Sequence, residues 1–166
     1  MTKLAINGGP KSITEPLLPR GHFGQEEKAA AMRLFDQSIA SGSAFGYNGI
    51  EEESFCKEFA AFLGTGYADG VSSGTNAVFV ALRALELPPF SEVVVGAVTD
   101  PGGIMPIVMN SCIPVVADAA PGRYNCGAKE VEAVLSPLTS AIVIAHIGGE
   151  PADIEGIMQL ANARGI

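Results

Sequence analysis

The sequence predicts an α/β protein on a mainly parallel sheet with flanking helices. Three observations carry that reading. Short apolar, β-branched runs recur at 92–98, 113–117 and 141–147, with a shorter candidate at 67–71. Stretches with helical spacing of apolar residues separate them. Strands alternating with helices are the signature of a parallel sheet covered by its own crossovers.

The first 24 residues are rich in glycine and proline, as in Asn7-Gly8-Gly9-Pro10, Pro16, Pro19 and Gly21. They read as an irregular arm rather than a packed element. From Gln25 the pattern changes, and Ala31, Leu34, Phe35 and Ile39 predict an amphipathic helix over 25–40 that stops at Ser41-Gly42-Ser43. A glycine-rich loop around Phe45 and Tyr47 follows at 42–49. Glu51-Glu52-Glu53 then suits the positive start of a second helix, with Phe55, Phe59, Phe62 and Leu63 as its expected buried stripe. Further helices are expected at 75–85, 102–110 despite Pro106, 128–135, and from Asp153 to about Ala163.

Nearly half of the 166 residues are apolar, which allows a sizeable core. No run of about 18 apolar residues suggests a membrane span, and the N-terminus lacks the apolar stretch of a signal peptide. Cytoplasm is the expected location. The formal charge of −8, without a basic run, disfavours nucleic acid and anionic membranes as main partners. Cys56, Cys112 and Cys126 are odd in number and far apart, so they predict neither a disulfide framework nor a zinc site.

Parallel sheets place ligand sites at the carboxyl ends of their strands, and three such ends stand out. The first is Val71-Ser72-Ser73-Gly74-Thr75-Asn76, where two hydroxyls and a glycine open a helix. Free N–H groups and the helix dipole there can hold a phosphate. A plain Ser or Thr cap explains the same residues. The second is Thr99-Asp100-Pro101-Gly102-Gly103, small enough for a ligand wall or a tight turn. The third is His146-Ile147-Gly148-Gly149-Glu150, in which His146 reads as a satisfied, partly buried histidine rather than a base. His22 has no evident partner, and turn formation accounts for Asp118. No G-x-G-x-x-G follows the first strand, which argues against a dinucleotide site.

In order along the chain, FCKEFAAFLG, VSSGTNAVFVALRAL, SEVVVGAVT, IPVVADAAPGRYN and SPLTSAIVIAHIGGEPADIEGIMQLANARGI resemble segments of the DegT/DnrJ/EryC1/StrS sugar aminotransferases. The likeness covers roughly residues 20–166. It implies part of the large domain of a pyridoxal-phosphate enzyme of aspartate-aminotransferase type (fold type I), over 25–166 behind the arm. It also implies a cofactor phosphate held at Ser73, Gly74 and Thr75. Asp100 falls where many members place an aromatic ring against the cofactor, so stacking at that position is lost. Tyr47 lies in a loop that in such dimers often lies near an active site, with a plain surface or core tyrosine as the favoured reading.

The resemblance further implies transfer of an amino group from glutamate or glutamine to a keto-sugar or keto-cyclitol, by a homodimeric parent. Lys3, Lys11, Lys28, Lys57 and Lys129 all miss the family's Schiff-base position, and the aspartate that pairs with the ring nitrogen is missing too. The expectation is a portion that precedes both and does not transaminate alone. The competing reading is a non-catalytic α/β module that binds a phosphorylated ligand or a partner chain.

Overall fold

A computed structural model describes residues 3–166 except 17, 20, 47 and 65. They form two compact units, Met1–Leu63 and Gly64–Ile166, a division that falls inside the 25–166 segment.

In the first unit the described residues of the arm are irregular apart from one tight turn at Ala5–Asn7. Helix α1 (Gln25–Ser41) begins where the Glu27 carboxylate accepts the Gly24 N–H at 2.6 Å. That bond holds the Glu27 carboxyl below its usual range. The helix ends at Gly42, whose φ of +67° is the left-handed cap that glycine adopts without strain. Helix α2 (Ile50–Leu63) carries Glu51, Glu52 and Glu53 in its first turn, as expected from the dipole.

The stripe expected to be buried on α2 is not buried. Phe62 is 85 % exposed, Phe55, Phe59 and Leu63 are exposed as well, and Ala60 alone is buried in that helix. Phe55 and Phe59 instead stack on each other at 5.8 Å. Residues one turn apart share a face whatever covers that face, so periodicity reported the helix and not its burial.

The second unit is a three-layer α/β structure. Strands β1 (Glu92–Gly96), β2 (Ile113–Ala117) and β3 (Thr139–Val143) pair in parallel in the order β2-β1-β3. On one face α3 (Gly74–Ala84) and α4 (Pro101–Met109) supply Leu82 and Ile107 to a cluster with Val93 and Val95 of β1. On the other, α5 (Ala128–Glu132) and α6 (Ile154–Arg164) supply Val131 and Ile157 to a cluster around Val94. Successive side chains of β1 therefore feed opposite layers, and all three valines are essentially fully buried. This is why a central parallel strand reads as a continuous apolar run.

Residues 67–71 form no strand, which corrects the expected four to three among the described residues. The stretch joins none of the three strands as a ladder partner, and Tyr67 and Val71 are exposed to water. Pro114 is accommodated because β2 pairs on one side only. In α4, Pro106 removes one helical N–H, and Asn110 closes the end of the helix. Its side-chain amide donates to the Pro106 carbonyl at 2.8 Å and to the Phe79 carbonyl of α3 at 3.2 Å. The C-terminal end of α4 is thus tied to the middle of α3 as well as packed against it. No helix among the described residues is long and apolar enough to cross a membrane.

Candidate functional site

The turn that opens α3 lies between an exposed segment and a helix of 11 residues. Ser73 is its cap: the Ser73 hydroxyl oxygen accepts the Asn76 N–H at 3.1 Å, and the Ser73 carbonyl accepts the Ala77 N–H. Asn76 also donates its side-chain amide to Ser72 Oγ at 2.7 Å, which stiffens the turn. The N–H groups of Gly74 and Thr75 have no hydrogen-bond partner among the described residues. Capping and two free backbone donors therefore coexist. The Ser73 oxygen serves one donor, while two backbone donors and the hydroxyls of Ser73 and Thr75 remain available to a ligand. A Cβ built on Gly74 meets nothing within 4 Å, so the space beside the turn is open.

The loop after β1 comes to the same place as that turn, which itself follows no strand. Asp100 precedes α4 as its N-cap residue, with Pro101 at the first helical position. A Cβ on Gly102 would lie 2.8 Å from Thr75 Oγ1 and 2.9 Å from Asp100 Oδ1. A side chain at 102 would require Thr75 Oγ1 and Asp100 Oδ1 to move aside. The structure brings Thr75, Asp100 and Gly102 together. Sequence reasoning had Gly102 only as a small residue in a possible wall. Its contact with Thr75 joins positions 27 residues apart, so no local pattern announces it.

The third loop is organised around a different residue. Asn125 is 5 % exposed and bonds on both sides. Its amide donates to the Glu150 carbonyl at 2.8 Å, and its side-chain oxygen accepts the Ile147 N–H at 3.1 Å. The Glu150 carboxylate holds the Arg123 guanidinium at 3.0 Å and takes the Tyr124 N–H. The loops after β2 and β3 are thus stapled together. A depression of ≈ 20 Å³, about one water in size, lies between the ends of β1 and β3 against Thr99, Asn125 and Ala145. Burial pushes the thiol of Cys126, which lines it, above its usual pKa.

His146 is satisfied as expected, its Nδ1 accepting the Ala152 N–H at 3.0 Å, but it is exposed rather than partly buried. The tight turn at Ile147–Gly149 carries it outward, with Gly148 and Gly149 both at positive φ. Asp118 accepts the Ala119 N–H in a local turn. The cysteines are free, and no group of three or more His, Cys, Asp or Glu gathers among the described residues. Tyr47 lies outside the described residues. The first unit contains a larger groove of ≈ 840 Å³ against Leu34, Phe45 and Ile50. Its described lining includes no cationic side chain and does include Glu51 and Glu52, a poor seat for an anion.

The same fold is found in solved aminotransferases. The aminotransferase of Psychrobacter cryohalolentis superposes with a TM-score of 0.81 at 32 % identity, over 91 % of this chain and 37 % of its own. A Bacillus subtilis protein solved with bound PMP, the pyridoxamine phosphate cofactor, shares the fold with a TM-score of 0.78 at 24 % identity, over 87 % of this chain and 33 % of its own.

The chain belongs to the DegT/DnrJ/EryC1/StrS aminotransferase family, which matches residues 25–166. A Streptomyces kanamyceticus relative described as a putative L-glutamine:3-amino-2,3-dideoxy-scyllo-inosose aminotransferase is 29 % identical over 99 % of this chain. The chain spans 39 % of that relative's length.

Proposed function

We propose that this chain is a cofactor-binding portion of a pyridoxal-phosphate aminotransferase that acts on a keto-sugar or keto-cyclitol. The amino donor would be glutamate or glutamine, and the full-length protein a homodimer. Residues 25–166 would belong to the large domain, behind an arm at 1–24. Family membership supports the reaction class, and the kanamyceticus relative's description supports both the cyclitol and the glutamine.

The observation that carries the reading for this chain is the unpaired Gly74 and Thr75 N–H pair at the start of α3. These two donors and the Ser73 and Thr75 hydroxyls fit a phosphate in number and type. The helix dipole adds to their attraction for an anion. Asp100 and Gly102 form the adjoining wall. When bound, the cofactor supplies an electron sink for moving a proton and an amino group. The chain's own residues in this reading anchor and orient. None of the five lysines belongs to the turn that opens α3 or to the loop after β1, and the residues named here hold the group.

The test is titration of the 166-residue chain with pyridoxal phosphate, pyridoxal and inorganic phosphate, beside Gly74→Asp and Thr75→Ala. Gly74 has free space where a side chain would go, so the aspartate puts a negative charge at the seat without a clash. The expected result is phosphate-dependent binding that Gly74→Asp abolishes. Thr75→Ala should weaken it about tenfold, the scale of one hydrogen bond to a charged group. Equal binding by all three proteins would remove the anchor and favour an α/β module with another ligand or partner.

A further inference from the structure

Asp100 stands at the N-cap of α4, where an aspartate ordinarily turns back to accept a helix N–H. Here it does not. Pro101 has no N–H to give, the Gly103 N–H goes to the main-chain carbonyl of Asp100 at 3.1 Å, and the carboxylate makes no capping bond. Nor does it form an ion pair with any described residue. It projects instead into the space that the absent side chain of Gly102 leaves, on the side where Thr75 Oγ1 lies. A solvent-exposed carboxylate without a partner among the described residues therefore adjoins a turn whose free donors attract a negative ligand. That combination is unfavourable for a ligand that is anionic throughout. It suits one that is anionic at one end and cationic beside it.

We infer that Asp100 is a specificity-determining residue that makes this site prefer a phosphorylated amine over its uncharged counterpart. The inference rests on the phosphate seat proposed above. The ligand class is a pyridoxamine-type phosphate, whose ring bears an ammonium-carrying arm on the carbon next to the one with the phosphate arm. With the phosphate on the α3 turn, an ammonium on the neighbouring arm would lie within reach of the Asp100 carboxylate at the start of α4. Asp100 and Gly102 act as a pair, because a larger residue at 102 would meet Asp100 Oδ1 and displace the carboxylate.

The measurement is equilibrium binding, by calorimetry, of pyridoxamine phosphate and of pyridoxine phosphate. The second carries a neutral hydroxymethyl arm and no carbonyl to react with surface lysines. Wild type, Asp100→Asn and Gly74→Asp are compared, with circular dichroism to verify the fold. Wild type is expected to favour the amine. Asp100→Asn should reduce that preference about threefold to fivefold, the scale of one solvent-screened ion pair. An unchanged preference overturns the inference. So does an equal rise in both affinities, which would mean that Asp100 only repels the phosphate. If Gly74→Asp binds both ligands as well as wild type, the phosphate seat itself is wrong and the inference falls with it. If Gly74→Asp abolishes binding while Asp100→Asn leaves the ratio alone, only the inference fails.

Discussion

Helix α2 and strand β1 are both rich in large apolar residues, yet they have opposite fates. Every valine of β1 is withdrawn from water, while the phenylalanines of α2 stay exposed. The difference lies in what stands on either side. Strand β1 has a strand at each edge and a helix pair on each face. The apolar face of α2 meets no such layer among the described residues. Apolarity sets how much a residue gains from burial, and topology decides whether it is buried. The candidate site stands on the second unit, where the turn that opens α3 meets the loop after β1.

The sharpest way to break that comparison is a matched truncation. Val94→Ala removes two methyl groups from a site closed on all sides and should destabilise the second unit by about 2–3 kcal/mol. Phe62→Ala removes a larger group but should change stability by no more than about 0.5 kcal/mol. Urea unfolding followed by circular dichroism reads both. Equal losses would mean that the α2 face is covered in solution.

Next in size is Asn110, the tie between α3 and α4. Asn110→Leu leaves the Phe79 carbonyl without its second partner and should cost about 1–3 kcal/mol. Glu132→Ala, which removes an exposed pair with Arg164, should cost less than about 0.5 kcal/mol in the same assay. A reversal of that order would shift the weight from the helix pair to the surface.

Ser73→Ala should cost about 1 kcal/mol through loss of the α3 cap, and Ser73→Gly only a few tenths. Thermal unfolding would show it, and no difference between the two would argue that the cap does not form.

The smallest effect belongs to the first unit. The Glu27 carboxyl is depressed in the folded state by the Gly24 N–H, so its support for α1 is present above the unfolded carboxylate pKa. That support is lost as pH falls through the lower folded value. Helical ellipticity should therefore show a small acid-side loss below about pH 4.5 that Glu27→Gln lacks. Identical acid profiles would remove the bond from the account.

Much of the fold was legible in advance. The β-branched runs located β1 and β2 closely, because buried parallel strands leave a continuous apolar record. The run at 67–71 looked alike and is not a strand, since a strand exists only with a partner and a local pattern cannot name one. The third strand begins at Thr139 and stops at Val143, earlier than its apolar run suggested. The Gly148–Gly149 turn forms just beyond it. At the candidate site, Ser73, Gly74 and Thr75 were readable as a helix start, because capping is a local rule. Asn125 and Glu150 gave no local signal, since their bond joins loops 25 residues apart.

The sequence by itself determined the helix starts, the α/β class and the family, all of which rest on short-range spacing and the order of segments. It also marked Ser73-Gly74-Thr75 as a turn with either of two uses. Only the tertiary structure decided that the cap and two free donors are present together, and that Asp100 and Gly102 stand against Thr75. The physical reason is that hydrogen-bond capacity left over at a helix end depends on what packs beside it. Here that neighbour is α4, brought alongside by packing on one face of the sheet and tied by Asn110.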